Sequence, residues 1–143
     1  MNTAGFLYAF AAALTWGIVY TISQKVLGTT KPLVFLFIGY TIAALITLPL
    51  ILMQWESVKS VLLASKPVWG WILVGEIFVF LANFFILSSV KELGAPLAAA
   101  LEISYPFFVA LFTLLVFGTA VNIYFWFGTA LIFAGAAVIT LFA

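Results

Sequence analysis

Two glutamates lie inside long apolar stretches of this sequence, and they are its best candidates for chemistry. Glu76 falls in the apolar run 68–90 and Glu102 in the run 95–117. A fixed charge near the centre of a bilayer costs roughly 2.5–3.5 kcal/mol or more on insertion scales, so an acid at such a position needs a reason. A carboxyl group in an apolar site can load and release a proton near neutral pH. Each glutamate is therefore a candidate for exchanging a proton against a cationic or polar substrate. The alternative is that each acid is neutral or paired with a lysine and locks helices together.

Glu76 and Glu102 lie at similar depths in the membrane when residues are counted along their helices. Glu76 lies about eight residues into its run and Glu102 about seven, which is roughly 11–12 Å at 1.5 Å per residue. The two depths are counted from opposite faces of the membrane. In an inverted pair of chains, Glu76 of one copy would lie near the level of Glu102 of the other.

An aromatic stripe precedes these acids in the first apolar run. Trp16, Tyr20 and Gln24 recur at a spacing of four residues and so share one face of a helix. Tryptophan prefers membrane interfaces, yet Trp16 falls in the middle of its run. The stripe is either the aromatic wall of a substrate cavity or a surface packed tightly against the run 95–117.

Further candidates lie close to the acids in sequence. Asn83 follows Glu76 by seven residues on the same helical face, where it lines the same cavity or bonds across helices. Tyr105 follows Glu102 by three residues and is included in the candidate site. The next residue, Pro106, is a candidate hinge, because proline removes a backbone hydrogen bond from its helix.

Small residues predict close helix contacts. Gly128 and Gly135 are seven positions apart, with Ala134 beside them, and a small-residue face lets two helices approach closely. We expect this face to contact another helix, either within the chain or in a second chain. The alanines at 98–100 suggest a second close approach.

The elements that must position these residues are apolar runs long enough to span a membrane. The sequence is 67% hydrophobic and only 6% charged, whereas soluble domains carry about 25% charged residues. We therefore expect an all-α integral membrane protein with five transmembrane helices, at about 5–26, 32–53, 68–90, 95–117 and 121–142. The segment Gln54–Lys66 is either a short amphipathic helix in the interface or an ordinary polar loop.

Several residue types that support other functions are missing from the sequence. It contains no Cys, His, Arg or Asp, no glycine-rich phosphate loop and no nucleophile–base pair. We therefore expect no enzymatic activity, no cofactor or metal, no direct use of ATP and no nucleic-acid partner. Membrane lipid and a small-molecule substrate are the expected partners.

The lysines give little indication of orientation. Lys25, Lys31 and Lys91 flank loops on one side of the membrane, while Lys59 and Lys66 lie on the side of the N-terminus. The positive-inside rule needs an excess on one side. Either orientation is set weakly, or the chain inserts both ways; a small protein with few charges could also give this balance by chance. With an odd number of spans, insertion both ways would allow an antiparallel dimer that reproduces an inverted-repeat transporter.

Three segments resemble an EamA domain, the repeat of the drug/metabolite transporter superfamily. They are Trp16-Gly-Ile-Val-Tyr20, Ser104-Tyr-Pro106 and the helix that runs from Trp126 through Gly128 to Gly135. The likeness covers nearly the whole chain as one domain, 1–143. Most members carry two copies and ten helices, and a single copy is similar to the five-span bacterial/archaeal transporter branch.

The resemblance implies a multi-pass transporter in the prokaryotic inner membrane that moves a small metabolite or lipophilic compound. It would work as a homodimer, or as a heterodimer with a related half, with proton antiport or facilitated diffusion. Two departures limit the transfer of roles. Gly118-Thr119 stands where the family often has a Gly-Glu pair, and Phe37-Ile-Gly-Tyr40 where many members have an arginine. Two other functions stay open, a non-transporting scaffold or small subunit and a flippase for an amphiphilic lipid carrier.

Overall fold

The computed structural model describes residues 3–142 of the chain. Within them it forms seven α-helices: α1 (Thr3–Leu27), α2 (Pro32–Leu52), α3 (Trp55–Leu62), α4 (Lys66–Leu93), α5 (Ala95–Glu102), α6 (Tyr105–Phe117) and α7 (Ile123–Phe142). In this described part, five segments are long and apolar enough to cross a membrane: α1, α2, α4, the segment Ala95–Phe117 and α7. The prediction of an all-α membrane protein with five spans is confirmed, and most span ends lie within two or three residues of their predicted positions.

The fourth span is two half-helices, where the sequence predicted one continuous helix. The α-helix stops after Glu102 and begins again at Tyr105. A proline ring in a continuous helix clashes with the carbonyl four residues earlier, and for Pro106 that carbonyl belongs to Glu102. The chain avoids this clash by restarting the helix, which places Pro106 in the first turn of α6. The Leu101 carbonyl at the break accepts twice from Ser104, from its hydroxyl at 2.8 Å and from its backbone N–H at 3.3 Å. Glu102 is thus the last residue of a half-helix.

The segment Gln54–Lys66 contains a helix, which decides between the two structures considered for it. α3 covers Trp55–Leu62. An ion pair within α3 stabilises it, between Lys59 Nζ and Glu56 Oε1 at 2.8 Å. Such a pair three residues apart contributes only about 0.2–0.5 kcal/mol.

The chain divides into two compact units. One contains the residues up to Lys25 together with those from Ser89 onward, and the other contains Val26–Ser88. In the first unit, α7 packs against both α5 and α6. The Phe107 ring meets the rings of Trp126 and Phe133 edge-on, with centroids 5.5 and 5.6 Å apart.

Small residues form much of the buried interior of the first unit: Ala95, Ala98, Ala110, Thr129 and Ala136. Lipid solvates apolar side chains as well as a protein interior does, so membrane helices associate through close packing of small residues and through hydrogen bonds. In the second unit, α2 contacts α3, and the rings of Phe80 and Phe84 stack with centroids 6.5 Å apart along α4.

Candidate functional site

The carboxylate of Glu102 meets a hydrogen-bond donor from the same chain. The hydroxyl of Tyr20 on α1 donates to Glu102 Oε2 at the end of α5. Tyr20 is buried and Glu102 is half-buried. Since hydrocarbon cannot hydrate a carboxylate, this bond supplies part of what the acid requires in a membrane span.

An aromatic cleft surrounds this pair. The rings of Trp16 and Tyr20 are tilted against each other with centroids 5.3 Å apart. The Glu102 cleft, as we call it, has a volume of about 390 Å³ and is lined by Ala13, Trp16, Gly17, Tyr20, Ala99, Glu102, Ile103 and Tyr105. This volume lies within the roughly 300–1,000 Å³ typical of small-molecule sites. The structure therefore brings together Trp16, Tyr20, Glu102 and Tyr105, all of which the sequence singled out.

The other two polar candidates belong to the second unit. The Asn83 side chain is half-buried, and its Nδ2 donates to the Val79 carbonyl of its own helix at 2.9 Å. Glu76 is exposed. The Glu102 cleft is built from residues of the first unit alone, so the candidate site as the structure shows it contains one acid.

A second cleft adjoins the first, and it reveals a residue that sequence reasoning left out of the site. The Gln24 cleft has a volume of about 460 Å³ and is lined by Gly17, Tyr20, Thr21, Gln24, Lys25, Ala95, Pro96 and Ala99. Gly17, Tyr20 and Ala99 line both clefts, so the two are contiguous. Gln24 Oε1 accepts a hydrogen bond from the Ala95 N–H at 2.7 Å. The four-residue spacing in the stripe was the signal for Gln24, but it did not indicate a backbone partner.

Charge is distributed along the two contiguous clefts. The Glu102 carboxylate borders one cleft, and Lys25 borders the other. Among the described residues there is no group of three metal-ligating side chains. The chemistry that this arrangement supports is binding and proton exchange at a single carboxylate, with aromatic faces beside it.

The glycines of α7 point away from the packed interior of the first unit. A Cβ added at Gly128 or Gly135 would meet no atom of the described chain within 4 Å. The buried residues of this helix, Thr129 and Ala136, are the next positions along. α7 therefore carries an inner stripe that packs within the chain and an adjacent small-residue stripe that is exposed.

Comparison with known proteins agrees with this architecture. The model of the EamA-like transporter family matches residues 3–141. The matched segment begins at the first residue of α1 and ends one residue before the end of α7. Among curated proteins and among solved structures, nothing matches the chain significantly.

Proposed function

The chain belongs to the EamA-like transporter family, and on that premise we propose that it exchanges protons for a small substrate at Glu102. The family consists of membrane transporters, and the chain is a multi-pass membrane protein. The observation that carries the proposal is the hydrogen bond between Tyr20 and Glu102 on the wall of an aromatic cleft. A small molecule that enters this cleft would lie against the ionisable group of the fourth span.

The proposed coupling needs only competition for one carboxylate. When Glu102 is deprotonated, it accepts the hydrogen bond from Tyr20 and attracts a cationic or polar group into the cleft. When Glu102 is protonated, that attraction is lost and the substrate leaves. Trp16 and Tyr105 present ring faces, which attract cations and also bury apolar groups. The expected substrate is a small metabolite or lipophilic compound that bears such a group.

The geometry favours a transporter over a scaffold. An acid that only locks helices together would be enclosed between them. Glu102 instead borders a cleft of about 390 Å³, and the side chain of Trp16 on the same wall is 46% exposed. A flippase for an amphiphilic lipid carrier would use the same carboxylate, and the substrate tested below distinguishes the two.

We propose further that the working unit is an antiparallel dimer in the prokaryotic inner membrane, formed with a second copy or a related half. Three features support it: the five spans, the near balance of lysines on the two sides, and the exposed small-residue stripe at Gly128 and Gly135. Two five-span chains in opposite orientations reproduce the inverted repeats on which many transporters are built.

The test is proton-coupled flux in proteoliposomes. Small cationic and polar metabolites are added outside vesicles that contain a pH-sensitive dye, and a labelled lipid carrier is assayed in parallel. We expect Glu102→Gln to abolish substrate-driven proton movement, because an amide cannot exchange a proton. Glu92→Gln is the matched control, since Glu92 is an exposed acid in the last turn of α4. Proton-coupled transport at the wild-type rate in Glu102→Gln would overturn the role of Glu102. The same result in Glu76→Gln as well would show that neither membrane acid couples proton movement to transport.

A further inference from the structure

Two hydrogen bonds tie the half-helix α5 to α1, one at each end. At its C-terminal end, Glu102 accepts from the Tyr20 hydroxyl. At its N-terminal end, the Ala95 N–H donates to Gln24 Oε1 at 2.7 Å. The two residues on α1 are one helical turn apart, and the two on α5 are two turns apart. α5 is therefore joined to α1 by one hydrogen bond at each of its ends.

The N-terminus of α5 has no local cap among the described residues. Its N-cap residue is Gly94, which has no side chain, and its second residue is Pro96, which has no N–H. The buried Ala95 carries one of the N–H groups that a helix leaves without an internal partner. A buried N–H needs an acceptor, and Gln24 supplies it from another helix.

The backbone before α5 leaves its direction free, whereas after α5 the chain continues through Ile103 and Ser104, which both keep αR dihedral angles. Gly94 has a φ of +82°, and the helix is interrupted between Glu102 and Tyr105. With eight residues, α5 is only about 12 Å long. Contacts with its neighbours therefore contribute to its orientation: α7 packs closely against it, and the side chains of Gln24 and Tyr20 on α1 bond to its two ends.

We infer that Gln24 is a positioning residue for the proton-exchange site. Its amide oxygen holds the N-terminus of α5, and this keeps Glu102, at the opposite end, within reach of the Tyr20 hydroxyl. The inference rests on the proposed function and extends it from the carboxylate to the support of the helix that carries it. A glutamine in this role acts on Glu102 through the backbone of Ala95.

Few ionisable groups surround Glu102, so a change in its titration midpoint can be assigned to the residue that was substituted. Tyr20 from α1 and Tyr105 from α6 line its cleft. α7 packs against α5, has no charged residue in its sequence, and has Tyr124 in its first turn as its one titratable group. Lys25 borders the contiguous Gln24 cleft.

The experiment follows the Glu102 carboxyl group directly and needs no substrate. Infrared difference spectra of the purified protein in lipid are recorded against pH, and the carboxyl band is assigned by its loss in Glu102→Gln. We expect Tyr20→Phe to move the titration midpoint by about one to two pH units, as for the loss of one hydrogen bond to a charged group. Gln24→Met keeps the side-chain length but removes the amide, and it is expected to move the midpoint in the same direction by about half a unit.

Comparing the midpoint shifts of single and double variants separates a positioning role of Gln24 from a general loss of stability. If Gln24 acts through the Tyr20–Glu102 bond, Gln24→Met adds no shift in a Tyr20→Phe background, whereas independent effects would add. Ala95→Pro removes the donor from the other side of the same bond and keeps a residue suited to the first helical position, so it should reproduce the Gln24→Met shift. Thr15→Val is the control on α1, because the Thr15 hydroxyl donates to the Ala11 carbonyl of its own helix, at 2.8 Å.

The outcomes distinguish this inference from the proposed function. If the Glu102 band does not titrate in the wild-type protein, proton exchange at Glu102 is wrong. If the band titrates, but Gln24→Met and Ala95→Pro leave its midpoint unchanged, the role of Gln24 is overturned and the proposed function stands. A fully additive shift in the double variant also overturns that role. Equal shifts from the two single variants, with no additional shift in the Tyr20→Phe background, support it.

Discussion

Tyr20 and Glu102 lie 82 positions apart in the sequence and are joined by a side-chain hydrogen bond. The bond connects the first span to the fourth, and it does so at the only acid that the fourth span contains. In a bilayer core the alternative to such a partner is a carboxylate without hydration. The pair therefore serves two purposes, because it fixes which helices meet and it leaves the carboxylate facing a cleft.

Removing the phenol hydroxyl should destabilise the protein without changing the shape of the site. Tyr20→Phe retains the ring that packs against Trp16, with centroids 5.3 Å apart. Because a hydrogen bond to a charged group contributes about 1.5–3 kcal/mol, we expect the free energy of unfolding to fall by about that amount. Denaturant unfolding in mixed micelles measures it. Tyr8→Phe is the control, since Tyr8 is on the same helix and 78% exposed. Equal losses in the two variants would show that the Tyr20–Glu102 bond contributes no stability.

The spans were predictable because each is a long apolar run, and a bilayer admits only helices or closed barrels. The hydrogen-bond partner of Glu102 was not predictable. Spanning helices are apolar on all sides, so the sequence carries no periodic signal for the face that meets a neighbouring helix. The stripe containing Trp16 and Tyr20 identified one wall of the cleft. The run 95–117 was considered as its packing partner, but the pattern did not indicate that Tyr20 and Glu102 would meet, because that depends on tertiary packing. The expected level match between Glu76 of one chain and Glu102 of another stays a prediction.

The break in the fourth span shows a second limit of pattern reading. Pro106 was recognised as a disturbance, but the helix is interrupted at 103–104, before the proline. The steric conflict of a proline lies with the preceding turn, so its consequence appears several residues earlier. Gln24 was missed from the site for a related reason. Its partner is a backbone N–H that becomes available only once α5 begins at Ala95.

Gly94 should tolerate no side chain, since its backbone has φ 82° and ψ 158°, a region that essentially only glycine occupies. A Cβ there would lie 3.7 Å from Gln24 Oε1, which is ordinary contact, so the cost comes from the backbone. We expect Gly94→Ala to lower the free energy of unfolding by about 1–3 kcal/mol. Gly39→Ala is the matched control inside α2, where an added Cβ meets no described atom within 4 Å. It should be neutral or slightly stabilising, and a Gly94→Ala protein as stable as the control would contradict this account of the turn.

The exposed stripe of α7 predicts an effect on association that leaves the single chain intact. Gly128 and Gly135 are exposed, and an added Cβ at either position meets nothing within 4 Å. Gly128→Leu and Gly135→Leu should therefore interfere with a second helix packed against the stripe. We expect the dimer association constant, obtained from single-molecule photobleaching in lipid, to fall about tenfold or more, as for the loss of about 1.4 kcal/mol of association free energy. Gly39→Leu makes the same substitution on α2 and should leave the dimer fraction unchanged. If the α7 variants associate like the wild-type protein, the dimer contact lies elsewhere.

The lysines are nearly balanced between the two sides of the membrane. We therefore expect the orientation of the chain in the membrane to change when very few charges are changed. The chain has no cysteine, so Thr29→Cys, in the turn after α1, and Ser57→Cys, in α3, each provide a single label on opposite faces of the membrane. If the chain inserts both ways, a membrane-impermeant maleimide added outside intact cells should label a substantial fraction of each variant. Replacing Lys59 and Lys66 with glutamine leaves Lys25, Lys31 and Lys91 on the other side. That excess should place their loops in the cytoplasm and leave only the Ser57→Cys site accessible from outside. Labelling of one site alone before the lysines are changed would rule out dual insertion, and the antiparallel dimer of identical chains with it.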